Sequence, residues 1–359
     1  MKNSELALAA HNCIQTIVLP DRYTTFRRFT AQQMAVYGKD YLFNALSQCP
    51  SGVYLALKTN GTRLSFKISF ERAAVYIPAL SEMNKNDVKG ALASLAHEMP
   101  GNRPMELKDT FDILIDDERL VSVKLKKGKV TASLGNPHPL DDVLALKVYL
   151  PVFPFTAVAD FESDGDVWVD SDTAERKVCY CFGDSITQGF NAHNPSQTYT
   201  SIIGRRFEME TLNFGIGGYW FEADSLSGVQ ALPKPDMITI AYGTNDWNSL
   251  PSLELMREKT AAYLDAIEQL YRGIPTFVIT PIWRADMDCK KAVGPFELMC
   301  KMVAEEASRH PDNVVIDGLA IPMHNRNLYG DGYLHPNAEG FRIMGAHICN
   351  AIQDFLAKP

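Results

Sequence analysis

The stretch that decides the fold reads Val178-Cys179-Tyr180-Cys181-Phe182-Gly183-Asp184-Ser185-Ile186-Thr187-Gln188-Gly189. Its first five residues are a short, nearly continuous apolar run, the pattern of a parallel strand buried on both faces. Gly183 permits a tight turn, and Ser185 then stands at the start of the next helix. That is the carboxyl end of the strand, where open α/β sheets place their sites. A hydroxyl held there could attack a substrate while nearby backbone N–H groups stabilise negative charge. Taken alone, Gly-Asp-Ser reads rather as a surface turn with an Asp/Ser helix cap. Cys179 and Cys181 fall on one strand face and read as buried thiols rather than a metal or redox pair.

Downstream, Met237 to Tyr242, Thr276 to Thr280 and Val314 to Ile316 are similar apolar runs. Helical patterns cover Leu253 to Tyr271, Pro295 to Ser308 and Ala338 to Leu356. Strand–helix alternation with strands of this kind predicts a flavodoxin-like α/β domain. Upstream the grammar differs. Val53 to Leu57 and Leu64 to Phe70 flank Asn60-Gly61 and read as a β-hairpin. Further strand-like pieces come at Thr110–Ile115, Leu120–Leu125, Lys129–Leu134, Val143–Leu150 and Thr156–Phe161, parted by turn residues. Many short strands indicate a β-sandwich of jelly-roll type. Residues 81–103 break the rhythm as a helical excursion or a long loop. The acidic run Glu162 to Asp172 lacks the order of acids and the closing Glu of a calcium loop and reads as a domain boundary or surface loop. The expectation is a multi-domain chain: a mainly β-sandwich domain over 1–170 and an α/β domain over 171–359.

Composition narrows the function. The chain has 359 residues, 46% hydrophobic and 22% charged, with 35 Lys+Arg against 43 Asp+Glu. A net charge of −8 gives no general surplus of positive charge for gripping nucleic acid. No run of about 18 apolar residues suggests a membrane span. No secretory signal is read after Met1-Lys2-Asn3-Ser4-Glu5. The 7 cysteines are odd in number and irregular in spacing, so a disulfide framework is not indicated and the cytoplasm is the expected location.

Three more blocks join the first. Asn213-Phe214-Gly215-Ile216-Gly217-Gly218 comes after Leu212, Tyr242-Gly243-Thr244-Asn245-Asp246 ends a strand candidate, and Asp331-Gly332-Tyr333-Leu334-His335-Pro336-Asn337 precedes the last helix. Loops carrying glycine and a polar group at strand ends could converge on a serine hydrolase site.

These four blocks, in this order, resemble the SGNH (GDSL-type) hydrolase family, over roughly residues 178–357. The resemblance implies that Ser185 is the nucleophile and His335 its base. It implies an oxyanion hole made of the Ser185 N–H, the Gly218 N–H and the Asn245 side chain. The family's second block spaces its asparagine and glycine so that Gly218, not Gly217, is the match. An aspartate before the histidine usually orients it, as Asp-x-x-His. Here Asp331 and His335 are four apart, so either Asp331 reaches the imidazole through one extra residue or a backbone carbonyl orients it. The chemistry suits ester cleavage: an imidazole, with an ordinary pKa of about 6.5, takes the proton from an alcohol that is a poor nucleophile unaided. No metal or organic cofactor is required. The G-x-S-x-G elbow of α/β-hydrolases is absent.

The β-domain joined to this hydrolase domain resembles carbohydrate acetyl esterases, which implies acetylated xylo- or manno-oligosaccharides as substrates. Trp247, Trp283, Arg284, Tyr219 and Trp220 all come after strand ends or motif glycines, and could line the substrate cleft or pack in the core. The alternative is an esterase or lysophospholipase-type enzyme on short non-carbohydrate esters. A further alternative is a non-catalytic glycan-binding protein, which the presence of Ser185 and His335 disfavours. A homo-oligomer is possible.

Overall fold

Leu64, Phe66 and Ile68 alternate with Arg63, Ser65 and Lys67, so one face of that strand is apolar and must be covered. The computed structural model describes residues 1, 3–69, 109–154, 156–171 and 176–357, and shows what covers it. Two antiparallel sheets face each other. One runs Ala10–His11, Tyr54–Thr59, Leu144–Tyr149, Thr110–Ile115, Arg119–Lys124, with Val167–Val169 also paired to Tyr54–Thr59. The other runs Gln15–Val18, Thr24–Arg27, Ala157–Ser163, Arg63–Ser69, Gly128–Ser133. Leu55, Leu57, Ile113 and Val148 from the first meet Leu64, Phe66, Ile68 and Phe161 from the second in one core. The expected β-sandwich is present. The expected helix or loop at 81–103 lies outside the described residues.

The hairpin is a correction. Tyr54–Thr59 and Arg63–Ser69 belong to different sheets and do not pair with each other. A two-residue Asn-Gly hairpin turn needs positive φ at both residues, and neither Asn60 nor Gly61 has it. The pair forms an arch instead. Asn60 Oδ1 accepts from the Asp166 N–H at 2.7 Å, and the Asp164 carboxylate accepts from the N–H groups of Thr62 and Arg63 at 2.7 and 2.9 Å. The acidic run at 162–166 is thus the clasp of this arch, and its continuation, Val167–Val169, is an edge strand.

The second half builds a five-stranded sheet in the order Met209–Gly215, Lys177–Gly183, Met237–Ala241, Thr276–Ile279, Asn313–Ile316, all parallel. In chain order this is 2-1-3-4-5, the flavodoxin-like arrangement, with its switch point beside the first strand. Tyr263, Ile267, Met299 and Val303, from helices Leu253–Tyr271 and Phe296–Ala307, cover one face. Tyr199, Ile203, Phe341 and Ile348, from helices Tyr199–Phe207 and Ala338–Leu356, cover the other, together with Cys179 and Cys181.

Two short helices, Ala31–Tyr37 and Tyr41–Ser47, were not legible in the sequence. Thr30 caps the first in a reciprocal capping box with Gln33, and Asp40 caps the second. Their Tyr37 and Leu46, with Phe29, join the core that holds Phe182 and Phe214 of the parallel sheet. The first half of the chain therefore packs directly onto the second. No helix among the described residues is long and apolar enough to cross a membrane.

Candidate active site

All four blocks lie at or just beyond the carboxyl ends of the parallel sheet. Gly183 ends the first strand, and a Cβ there would lie 1.9 Å from Thr187 Oγ1 and 2.7 Å from the Ala241 carbonyl oxygen, so only glycine lets the chain turn at this point. Asp184 then caps a single helical turn, Ser185–Gln188, accepting from the Ile186 N–H at 2.9 Å. Burial pushes the Asp184 carboxyl up to about 7. Its role is to fix the turn that presents Ser185.

Ser185 Oγ lies 2.8 Å from His335 Nε2, and His335 Nδ1 lies 2.7 Å from Asp331 Oδ2. A carboxylate can only accept, so Nδ1 carries the proton and Nε2 is left to accept from the serine hydroxyl. The extra residue between Asp331 and His335 is taken up in a turn. Asp331 Oδ1 accepts from the N–H groups of Tyr333, Leu334 and His335 at 2.8, 2.9 and 3.2 Å, while Oδ2 faces the imidazole. Burial pushes the Asp331 carboxyl up, but the charge and hydrogen bond of His335 and these backbone donors outweigh it and hold it below the ordinary value. The imidazole also packs beside the Phe190 ring, centroids 5.5 Å apart.

The first three blocks carry three candidate donors. Among the described residues the backbone N–H groups of Ser185 and Gly218 have no protein acceptor. The Gly217 N–H, by contrast, donates to Gln188 Oε1 at 2.8 Å. Gly218 takes φ +79°, which glycine adopts without strain. Asn245 Nδ2 donates one N–H to the Tyr219 carbonyl at 2.8 Å, leaving its second N–H. Asp246 accepts from the Phe221 N–H at 3.2 Å, tying the second and third blocks together.

The five residues that could line the cleft or pack in the core divide. Trp247 and Arg284 are fully buried, which favours the core over the cleft wall for both. Trp247 donates from Nε1 to the Gly294 carbonyl at 2.8 Å and packs on Phe296. The Arg284 guanidinium sits over the Trp247 ring and ion-pairs with Asp286. It donates to the Thr244 carbonyl and hydroxyl at 3.1 and 2.8 Å and to Tyr333 Oη at 2.9 Å. It thus links the asparagine block to the histidine block from behind. Arg284→Ala would leave Asp286 buried without its partner. We expect a loss of about 3–5 kcal/mol of stability, measurable by denaturant unfolding. Trp283 is half-buried against Tyr329 and His324. Tyr219 is buried, and its ring packs edge-on to Tyr37 and Phe43. Trp220 stacks on Tyr219 and remains half-buried.

Sequence reasoning missed what the first half of the chain supplies. A Cβ built on Gly218 would find Phe43 Cε1 at 3.6 Å, so this ring is a near neighbour of that glycine. It also packs edge-on to Trp220. The fully buried Arg28 donates to the carbonyls of Cys49 and Gly215 at 2.6 and 3.3 Å and also to that of Asn213, bracing the second block. No motif marks either residue. Among the described residues no group of three His, Cys, Asp or Glu could hold a metal.

Residues 181–343 match the model of the GDSL-like Lipase/Acylhydrolase family. No curated protein matches the chain. Solved structures share its fold across both halves. The salicylyl-acyltransferase SsfX3 from a tetracycline biosynthetic pathway superposes with a TM-score of 0.74 at 16% identity, covering 98% of this chain and 95% of that one. A chain described as a GDSL-like lipase from Bacteroides ovatus gives 0.70 at 16% identity, covering 99% and 97%. A family two carbohydrate esterase from Cellvibrio japonicus gives 0.60 at 12% identity, covering 98% and 96%.

Proposed function

We propose that the chain is a serine hydrolase of the GDSL/SGNH type with an N-terminal β-domain, as the match over residues 181–343 and the shared two-part fold support, and that it removes acetyl groups from acetylated oligosaccharides. The observation that carries the ester chemistry is the unbroken relay from Ser185 through His335 to a buried Asp331. Ser185 Oγ attacks the ester carbonyl as its proton passes to His335 Nε2, and Asp331 stabilises the imidazolium that forms. The N–H groups of Ser185 and Gly218 and the free N–H of Asn245 meet the oxyanion. His335 returns the proton to the departing sugar oxygen. Water, activated by the same imidazole, then releases acetate and restores the serine.

The Asn245 amide is held by the Tyr219 carbonyl, so its second N–H needs no reorganisation when charge develops. Asn245→Ala is expected to lower kcat by roughly 10²–10³-fold with a smaller change in KM. A parallel rise in KM with kcat unchanged would instead make Asn245 a binding residue.

The sugar assignment rests on two supports. Chains of this two-domain fold include family two carbohydrate esterases, and the rings of Phe43 and Trp220 stand beside Gly218, where apolar sugar faces can pack. All seven cysteines are free and five are buried, which suits a reducing compartment such as the cytoplasm. The test is acetate release from acetylated xylo- and manno-oligosaccharides beside simple acyl esters. Ser185-dependent release from one sugar series is expected, and activity confined to simple esters would reject the sugar substrate. Because a salicylyl-acyltransferase shares the fold, the second reading is acyl transfer to an alcohol. An added acceptor alcohol that captures most of the acetyl group in place of water would favour it.

A further inference from the structure

The chain carries a net charge of −8, yet one cleft collects positive charge. It has a volume of about 910 Å³ and opens between the β-sandwich and the parallel sheet. Tyr54, Lys147 and Tyr149 line it from the sandwich, and Arg176, Lys177, Arg205 and Arg206 from the other half. Lys177 and Met209 begin the two strands that end at Gly183 and Gly215. The cleft is therefore at the opposite end of the sheet from Ser185, roughly 20 Å away at about 3.3 Å per residue.

The carboxylates facing it do not balance the cations. Asp117 pairs with Lys147 at 2.7 Å, and Glu210, outside the lining, lies 3.7 Å from Arg176. Glu208 is the other acidic lining residue. Lys177, Arg205 and Arg206 have no carboxylate in ion-pair range among the described residues. Arg205 gives one N–H to the Ser196 carbonyl at 2.6 Å, and Arg206 one to Gln353 Oε1 at 3.4 Å. Arg205 and Arg206 end the helix Tyr199–Phe207, where cations complement the helix dipole. That accounts for two of the five. Lys147 and Arg176 have those carboxylates, but Lys177, from elsewhere in the chain, opens onto the same space with none in range among the described residues.

We propose that this cleft binds a small multivalent oxyanion bearing phosphate or carboxylate groups. Planar guanidinium forks match both groups in a bidentate way, and the ammonium of Lys177 adds a point charge. The volume suits a small molecule rather than a single phosphate. Tyr54, whose hydroxyl accepts from Arg176 at 2.7 Å, offers a ring wall with Tyr149, centroids 5.1 Å apart.

The experiment is isothermal titration calorimetry of the full chain at low salt, with inorganic pyrophosphate in one arm and citrate in the other. Wild type, Ser185→Ala and the double variant Lys177→Gln/Arg206→Gln are compared. Lys177 and Arg206 are exposed, so the double variant is expected to fold, and its circular dichroism spectrum checks this. Binding at one equivalent is expected in at least one arm, unchanged by Ser185→Ala, weakened by at least about tenfold in the double variant and weakened by added salt. The stronger arm distinguishes phosphate from carboxylate chemistry. No binding in either arm would overturn the proposal, as would equal affinity in the folded double variant or loss of binding in Ser185→Ala.

Discussion

Ser185→Ala is expected to lower ester hydrolysis by roughly 10⁵-fold or more while leaving the fold intact. The two halves of this statement have separate grounds. The Ser185 hydroxyl is the oxygen within 2.8 Å of His335 Nε2, so its removal leaves water as the remaining nucleophile. Its contribution to folding is small, because among the described residues Oγ makes that one bond. The turn itself is held by Asp184 and by backbone bonds from Gln188 and Gly189. Residual activity above the uncatalysed rate is expected, since the oxyanion donors survive. Steady-state kinetics on an acetyl ester, with thermal unfolding alongside, checks both halves. A large loss of stability would mean that the kinetic result reports misfolding.

The second large effect is expected from Asp331→Asn, at roughly 10⁴-fold in kcat. Asp331 does two things at once. Oδ1 gathers three backbone N–H groups and shapes the turn, while Oδ2 fixes the imidazole with its proton on Nδ1. An asparagine can keep its carbonyl oxygen on the backbone donors. Its NH₂ would then face Nδ1 and favour the tautomer with the proton on Nε2, which cannot accept from Ser185. The loss should thus appear in kcat with little change in KM. Because the carboxyl is held below its ordinary value, the pair also stabilises the fold above the unfolded carboxyl pKa. That contribution is lost as pH falls through the lowered folded value. The stability gap between wild type and Asp331→Asn should therefore be present at neutral pH and narrow under acid conditions.

Much of this site could be read without coordinates because each block pairs a local constraint with a strand end. The apolar run Val178–Phe182 announces a strand buried on both faces, and the residues after such a strand must lie at the edge of the sheet. Other features resisted for physical reasons. Asn60-Gly61 is a local turn signal, but whether two strands pair or arch between sheets depends on the partners at Val130, Leu146 and Phe161, far off in sequence. Trp247 and Arg284 come after strand ends, yet position along the chain does not say which way a side chain points. Both turn inward, onto each other. Phe43 and Arg28 sit in a segment without periodicity or motif. Their importance comes wholly from its docking against Asn213 to Gly218, far along the chain.

The central claim is that Ser185 carries the acyl group. Acid quenching during turnover of an acetyl ester, with peptide mass spectrometry of the quenched protein, tests it directly. One acetyl group is expected on the peptide containing Ser185, accumulating in Asp331→Asn if deacylation is slowed more than acylation, and missing in Ser185→Ala. An acetyl group on a different residue, or undiminished turnover by Ser185→Ala, would contradict the account.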